Sequence, residues 1–181
     1  MRCSEPARHA AVLFGPSAGP VADLLSLGGV RPRAMSKLET PMTRWYWQQV
    51  GGTLVEEFCA VRRSRTCGVR LLDGVILKGD EFRVARQSEV SIAGKDIVIV
   101  QTKANRLGMY LLGQAFFSAQ LMQRFHPRSV ESVALVALDD DVLRPMFEQY
   151  PGMRVVVCPQ EVLVRASRDG SDMVQRGAIE A

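Results

Sequence analysis

The chain has little histidine, lysine or cysteine: two His, four Lys and four Cys in 181 residues. His9 and His126 cannot build a histidine-rich metal site, and Cys3, Cys59, Cys67 and Cys158 contain no C-x-x-C pair. Zinc-finger and disulfide-framework readings are therefore disfavoured, and the thiols read as reduced residues of a cytoplasmic protein. No run of ~18 apolar residues exists, so no membrane-spanning helix is expected. Also missing are a G-x-x-x-x-G-K-S/T phosphate loop, a G-x-G-x-x-G turn after a strand, and a G-x-S-x-G elbow. Those absences remove the usual nucleotide-binding and α/β-hydrolase readings. A Ser-His-Asp arrangement would rest on His126 alone, which is followed by Pro127.

What is present is ordinary for one globular domain: 47% hydrophobic and 23% charged residues. The net charge is +4 and the pI about 9.1. That charge is split evenly, +2 in residues 1–34 and +2 in 35–181, so it does not by itself mark a nucleic-acid face. Arginine outnumbers lysine nineteen to four. Four of the arginines (Arg62, Arg63, Arg65, Arg70) cluster in one segment, read equally as a phosphate-binding group or a solvated loop.

Residues 1–34 are broken by Gly15, Pro16, Gly19, Pro20, Gly28, Gly29 and Pro32 and read as a flexible extension, or as translation from a start upstream of Met35. The ordered domain is expected over 37–165, with 166–181 a frayed tail. Thr40-Pro41 reads as a helix start, and Trp47, Val50, Leu54, Phe58 and Val61 recur at helical spacing, predicting a helix to about Val61. Gly51-Gly52 is a cost in that helix and could bend or divide it. Strands are expected at Val69–Leu77, within Phe82–Ala93, at Asp96–Lys103, Val130–Leu138 and Arg154–Cys158. Long and short helices are expected at Leu107–Phe125 and Val142–Tyr150, the first apolar nearly all round and hence buried. Asp139-Asp140-Asp141 reads as the acidic start of the second. The Ile-Val-Ile-Val centre of Asp96–Lys103 is apolar on both faces, which predicts a central strand in a mixed α/β sheet flanked by helices on both faces.

Three features of the residues converge. Asp73 lies mid-strand in L-L-D-G-V-I, where a carboxylate is expensive to bury unless paired or bound to a cation. Gln101 and Lys103 sit two apart on the strongest strand, so the two-residue period puts them on one side. Glu57 falls on the flank of the first predicted helix's apolar stripe.

A helix followed by strand–Asp–strand–Gln-x-Lys resembles the PD-(D/E)xK nuclease superfamily, with a restriction-endonuclease-like fold. The likeness runs from about Thr40 to Cys158 and includes the next helix, L-G-M-Y-L-L-G-Q-A-F-F. It implies a metal-dependent nuclease that hydrolyses phosphodiester bonds, in DNA rather than RNA. The metal would be Mg²⁺, with Mn²⁺ as substitute. On this resemblance Glu57, Asp73, Gln101 and the Thr102 backbone carbonyl hold the ion, and Lys103 orients the attacking water. Tyr110, Gln114 and Arg106 contact substrate. Gln101 stands where the family usually has Asp or Glu, which removes one negative charge. The alternative is therefore a catalytically inactive nuclease-fold domain acting in DNA binding or protein interaction. A homodimer or a partner subunit is compatible with either reading. A nucleotide- or small-molecule-binding α/β domain fits the strand–helix alternation but lacks a glycine-rich phosphate loop.

Overall fold

The computed structural model describes residues 38–177, with side chains as far as residue 168. The extension at 1–34 and residues 178–181 lie outside the described residues. Helix α1 (Glu39–Val50) comes first. Pro41 falls in its first turn, where a missing N–H costs no bond. Thr40 lies inside the helix rather than capping it, Leu38 holding the cap position.

The expected continuation to Val61 does not occur. Gly51 and Gly52 take φ of +77° and +79°, and a Cβ on Gly52 would lie 2.1 Å from the Leu77 carbonyl oxygen. Only glycine fits that approach. The chain leaves the helix there and runs on as strand β1 (Thr53–Val61). The helical spacing of Trp47, Leu54 and Phe58 spans two elements, and Leu54 and Phe58 are buried in different cores.

The remaining elements are β2 (Arg70–Leu77), β3 (Arg83–Val84), β4 (Asp96–Arg106), α2 (Met109–Met122), β5 (Ser129–Leu138), α3 (Leu143–Glu148), β6 (Met153–Val157) and α4 (Gln160–Gly177). The region from 166, expected as a frayed tail, continues α4 to Gly177. The strands form one mixed sheet in the order β3-β1-β2-β4-β5-β6. The β1–β2 and β2–β4 pairs are antiparallel, whereas β1–β3, β4–β5 and β5–β6 are parallel.

Strand β4 is central, as its composition predicts. Ile97 and Ile99 join one core with Leu111, Ala115 and Met122 of α2. Val98 and Val100 join another with Met42, Tyr46 and Trp47 of α1. All four strand residues are buried, each contributing ~1.5–3 kcal/mol of transfer free energy. Helix α2 departs from its expected all-round burial. Leu111, Leu112, Ala115 and Ala119 are buried, but Met109, Tyr110 and Phe117 are 67%, 75% and 65% exposed. Two of the three aspartates do serve the start of α3. Asp140 Oδ1 accepts the N–H groups of Val142 and Leu143 at 3.1 and 2.9 Å, and Asp139 pairs with Arg144. Among the described residues no helix is long and apolar enough to cross a membrane.

Candidate active site

A fork in the sheet makes the site. Strands β2 and β4 pair from Leu77↔Ile97 to Gly74↔Val100. Past Gly74 the ladder stops, while β4 stays paired with β5 through Lys103↔Val136. The next β4 group facing β2 is the Thr102 N–H, and it donates to the Asp73 carboxylate (Oδ2, 2.7 Å) instead of to a β2 carbonyl.

The side-chain alternation slips at the same level. Val55 and Phe58 on β1, and Leu72 and Val75 on β2, join the same core although each pair is three residues apart. A regular strand would send them to opposite faces. Glu57 stands at the slip with φ +49°, opposite Asp73, between the pairs Glu56↔Gly74 and Phe58↔Leu72. Gly74 is the tight point beneath: a Cβ there would meet Thr43 Cγ2 at 3.0 Å and Leu54 Cδ1 at 3.3 Å.

Helix α1 closes over this fork. Thr43 Oγ1 and Thr102 Oγ1 lie 2.8 Å apart in a buried hydrogen bond that fixes the helix to β4. One turn earlier, Glu39 Oε1 accepts from Lys103 Nζ at 2.8 Å. Glu39 is only 9% exposed, and its Lys103 partner is about one-third exposed. Burial pushes the Asp73 carboxyl up to about 6, with Glu39 and Glu57 adding to the rise. The Thr102 N–H and the Lys103 ammonium act the other way and offset part of it. Burial is the larger cause, and the neighbouring carboxylates add to it.

The structure brings together Asp73, Thr102 and Lys103 of the residues expected from the sequence. Glu57 is on a strand, not on the first helix as expected, and its residue is exposed. The acid that the helix does carry is Glu39, which sequence reasoning missed. Its only signal was its position immediately before Thr40-Pro41, one turn ahead of Thr43. Gln101 and Lys103, expected on one side, engage opposite helices. Gln101 is 3% exposed and donates through Nε2 to Ser118 Oγ of α2 at 2.9 Å. Arg106 is exposed at the end of β4 and donates to the Asp139 carbonyl at 2.5 Å. Tyr110 and Gln114 meet Gln101 in a groove of about 630 Å³ along α2.

The donors at the fork are hard oxygens: the carboxylates of Glu39, Asp73 and Glu57 and the backbone carbonyl of Thr102. Such a set suits Mg²⁺ better than Zn²⁺. Among the described residues no three His, Cys, Asp or Glu side chains gather as a ready-made metal cluster. Mg²⁺ normally takes one or two protein carboxylates and completes its shell with water and substrate phosphate. The raised Asp73 is a carboxylate that a bound cation would relieve, so the residues fit that ion.

No protein-family model matches the chain, and no curated protein matches it. Among solved structures, that of the EndoMS-dsDNA2 complex is similar to it at 12% identity with a TM-score of 0.43. The alignment takes in 74% of this chain and 50% of that one, so this chain spans about half of that protein's length.

Proposed function

We propose that the protein is a divalent-metal-dependent nuclease that hydrolyses phosphodiester bonds in DNA, with Mg²⁺ as its ion and Mn²⁺ as a substitute. The observation that carries this reading is Asp73. It is a largely buried carboxylate held by the backbone of the residue next to Lys103, and burial raises its pKa to about 6. The order of elements noted in the sequence supports it, with Glu39 in place of Glu57 as the helix-borne acid.

On this reading Glu39 and Asp73 would hold the metal, and the Thr102 carbonyl would assist. The N–H and C=O of a strand residue point to the same neighbouring strand, so that carbonyl shares the Asp73 side with its N–H. The bound ion would polarise the phosphoryl oxygen and lower the pKa of a coordinated water. Lys103, paired with Glu39 at 2.8 Å, would orient the attacking water and balance charge developing on the phosphate. Thr43 positions α1, and hence Glu39, through its bond to Thr102. Gln101 belongs to the α2 groove and not to the metal.

A second reading has its own support. The Lys103–Glu39 pair is already closed at 2.8 Å, and Gln101 is buried against Ser118. An inactive domain that keeps the fold and binds DNA or a protein partner would look the same. The two are separated by incubating plasmid and single-stranded DNA with the protein and Mg²⁺ or Mn²⁺. Cleavage that EDTA abolishes supports the enzyme. Folded protein with neither cleavage nor a metal-induced rise in Tm supports the inactive domain. One site cuts one strand, so a homodimer or partner subunit would accompany double-strand cleavage.

A further inference from the structure

Residues 62–69 join β1 to β2 and, with Arg70 at the start of β2, read R-R-S-R-T-C-G-V-R, four arginines and no acid. All four arginines are exposed. None of the ion pairs among the described residues uses them. Arg70 also lines the groove along α2, together with Gln101, Tyr110, Gln114, Phe117 and Ser118. Within that groove the Gln114 Oε1 is buried and has no hydrogen-bond partner. A buried acceptor left unpaired is costly, and a turn of the Gln114 amide toward the groove would let it receive a ligand's donor. Tyr110 and Phe117, both well over half exposed, offer ring faces at the rim.

We propose that this groove takes one unstacked base of a single DNA strand, and that the arginines of the β1–β2 loop hold the phosphates of the same strand. The inference rests on the reading of the substrate as DNA and narrows it to single-stranded or locally opened DNA. The lining is what a nucleobase needs: aromatic faces for its ring, amides for its polar edge, and cations along the backbone that leads to it. The volume is that of a small-ligand site. A base inside a duplex has its pairing edge and both faces already occupied, so it cannot use Gln114 and Tyr110 without leaving the stack. Gln101 ties the groove to the fork, because the next two residues of β4 are Thr102 and Lys103.

The test is binding without cleavage: anisotropy titrations in EDTA with a labelled single strand of about 15 nucleotides, and with the same strand in a duplex. The wild type should bind the single strand at least roughly tenfold more tightly than the duplex. Tyr110→Ala and Gln114→Leu should each weaken single-strand binding by roughly tenfold and leave duplex binding unchanged. Gln114→Leu should at the same time raise Tm, because it removes a buried unpaired acceptor, so its loss of affinity is not unfolding. Replacing Arg63 and Arg65 by Ala should weaken both DNAs and flatten the salt dependence by about one unit per lost phosphate contact. Wild-type affinity in Tyr110→Ala and Gln114→Leu, or equal binding of duplex and single strand, overturns the proposal. Because the titrations run in EDTA, they do not depend on cleavage. A failure of cleavage alone therefore leaves the groove standing, and a failure of the groove variants leaves the cleavage reading standing.

Discussion

Asp73→Asn should stabilise the metal-free protein at alkaline pH, which is unusual for a substitution at a proposed active site. The Asp73 carboxyl titrates at about 6 in the folded chain against an ordinary 3.8. The folded state holds the proton more tightly, so the stability linked to this group is fully present below pH ~4 and is lost as pH rises through ~6. At 1.36 kcal/mol for each tenfold change in proton affinity, the ionised carboxylate costs ~3 kcal/mol at pH 8. Asparagine keeps an oxygen for the Thr102 N–H and never ionises. For a protein of this size ~3 kcal/mol corresponds to a Tm difference of roughly 6–12 °C. Thermal melts in EDTA should show Asp73→Asn above the wild type by about that amount at pH 8, with the gap closing toward pH 4.5. Mg²⁺ at pH 8 should close it from the other side, by raising the wild type alone. Equal melting at pH 8, or a gap constant with pH, would refute the claim that burial raises the Asp73 carboxyl.

Other substitutions test the remaining parts. Glu39→Gln should reduce metal-dependent cleavage by ~100-fold or more, on the scale of losing a group that acts in the transition state, whereas Glu57→Ala should stay within a few-fold; steady-state cleavage rates decide which acid matters. Gln101→Glu should destabilise the fold by ~1–3 kcal/mol, since it buries a charge facing Ser118, and should not raise metal affinity. A tighter Mn²⁺ titration in that variant would return Gln101 to the metal. Gly52→Ala should cost ~3 kcal/mol or more in a denaturant melt, because its Cβ meets the Leu77 carbonyl and its φ is positive.

Much of the sheet was legible in the sequence, and the parts that were not have physical causes. The Ile97–Val100 run identified the central strand because burial on both faces leaves no polar alternation to misread. Asp73 and Lys103 stood out because a carboxylate amid L-L-x-G-V-I, and a lysine ending the most apolar strand, each need a reason. The first helix was overextended because Leu54 and Phe58 continue its spacing by coincidence, and the glycine pair that could bend or divide it in fact ends it. That error put Glu57 on a helix and hid Glu39, which precedes the assumed cap. The partner of Lys103 could not be read from a two-residue period, since a long flexible side chain at the strand's end reaches α1 while Gln101 turns to α2. The exposure of Met109 and Phe117 on α2 was missed for a related reason: both are apolar, and apolarity alone does not say whether a residue is buried.

The central claim is that Asp73, Glu39 and Lys103 form one metal-dependent hydrolytic site, and Lys103 is its most direct probe. Nicking of supercoiled plasmid and degradation of single-stranded DNA should be followed with Mg²⁺ and with Mn²⁺, for the wild type beside Lys103→Ala, with circular dichroism on both. The expected result is metal-dependent cleavage by the wild type and none by Lys103→Ala, with matching spectra. Cleavage at the wild-type rate by folded Lys103→Ala, or no cleavage by folded wild type with either metal, would contradict it.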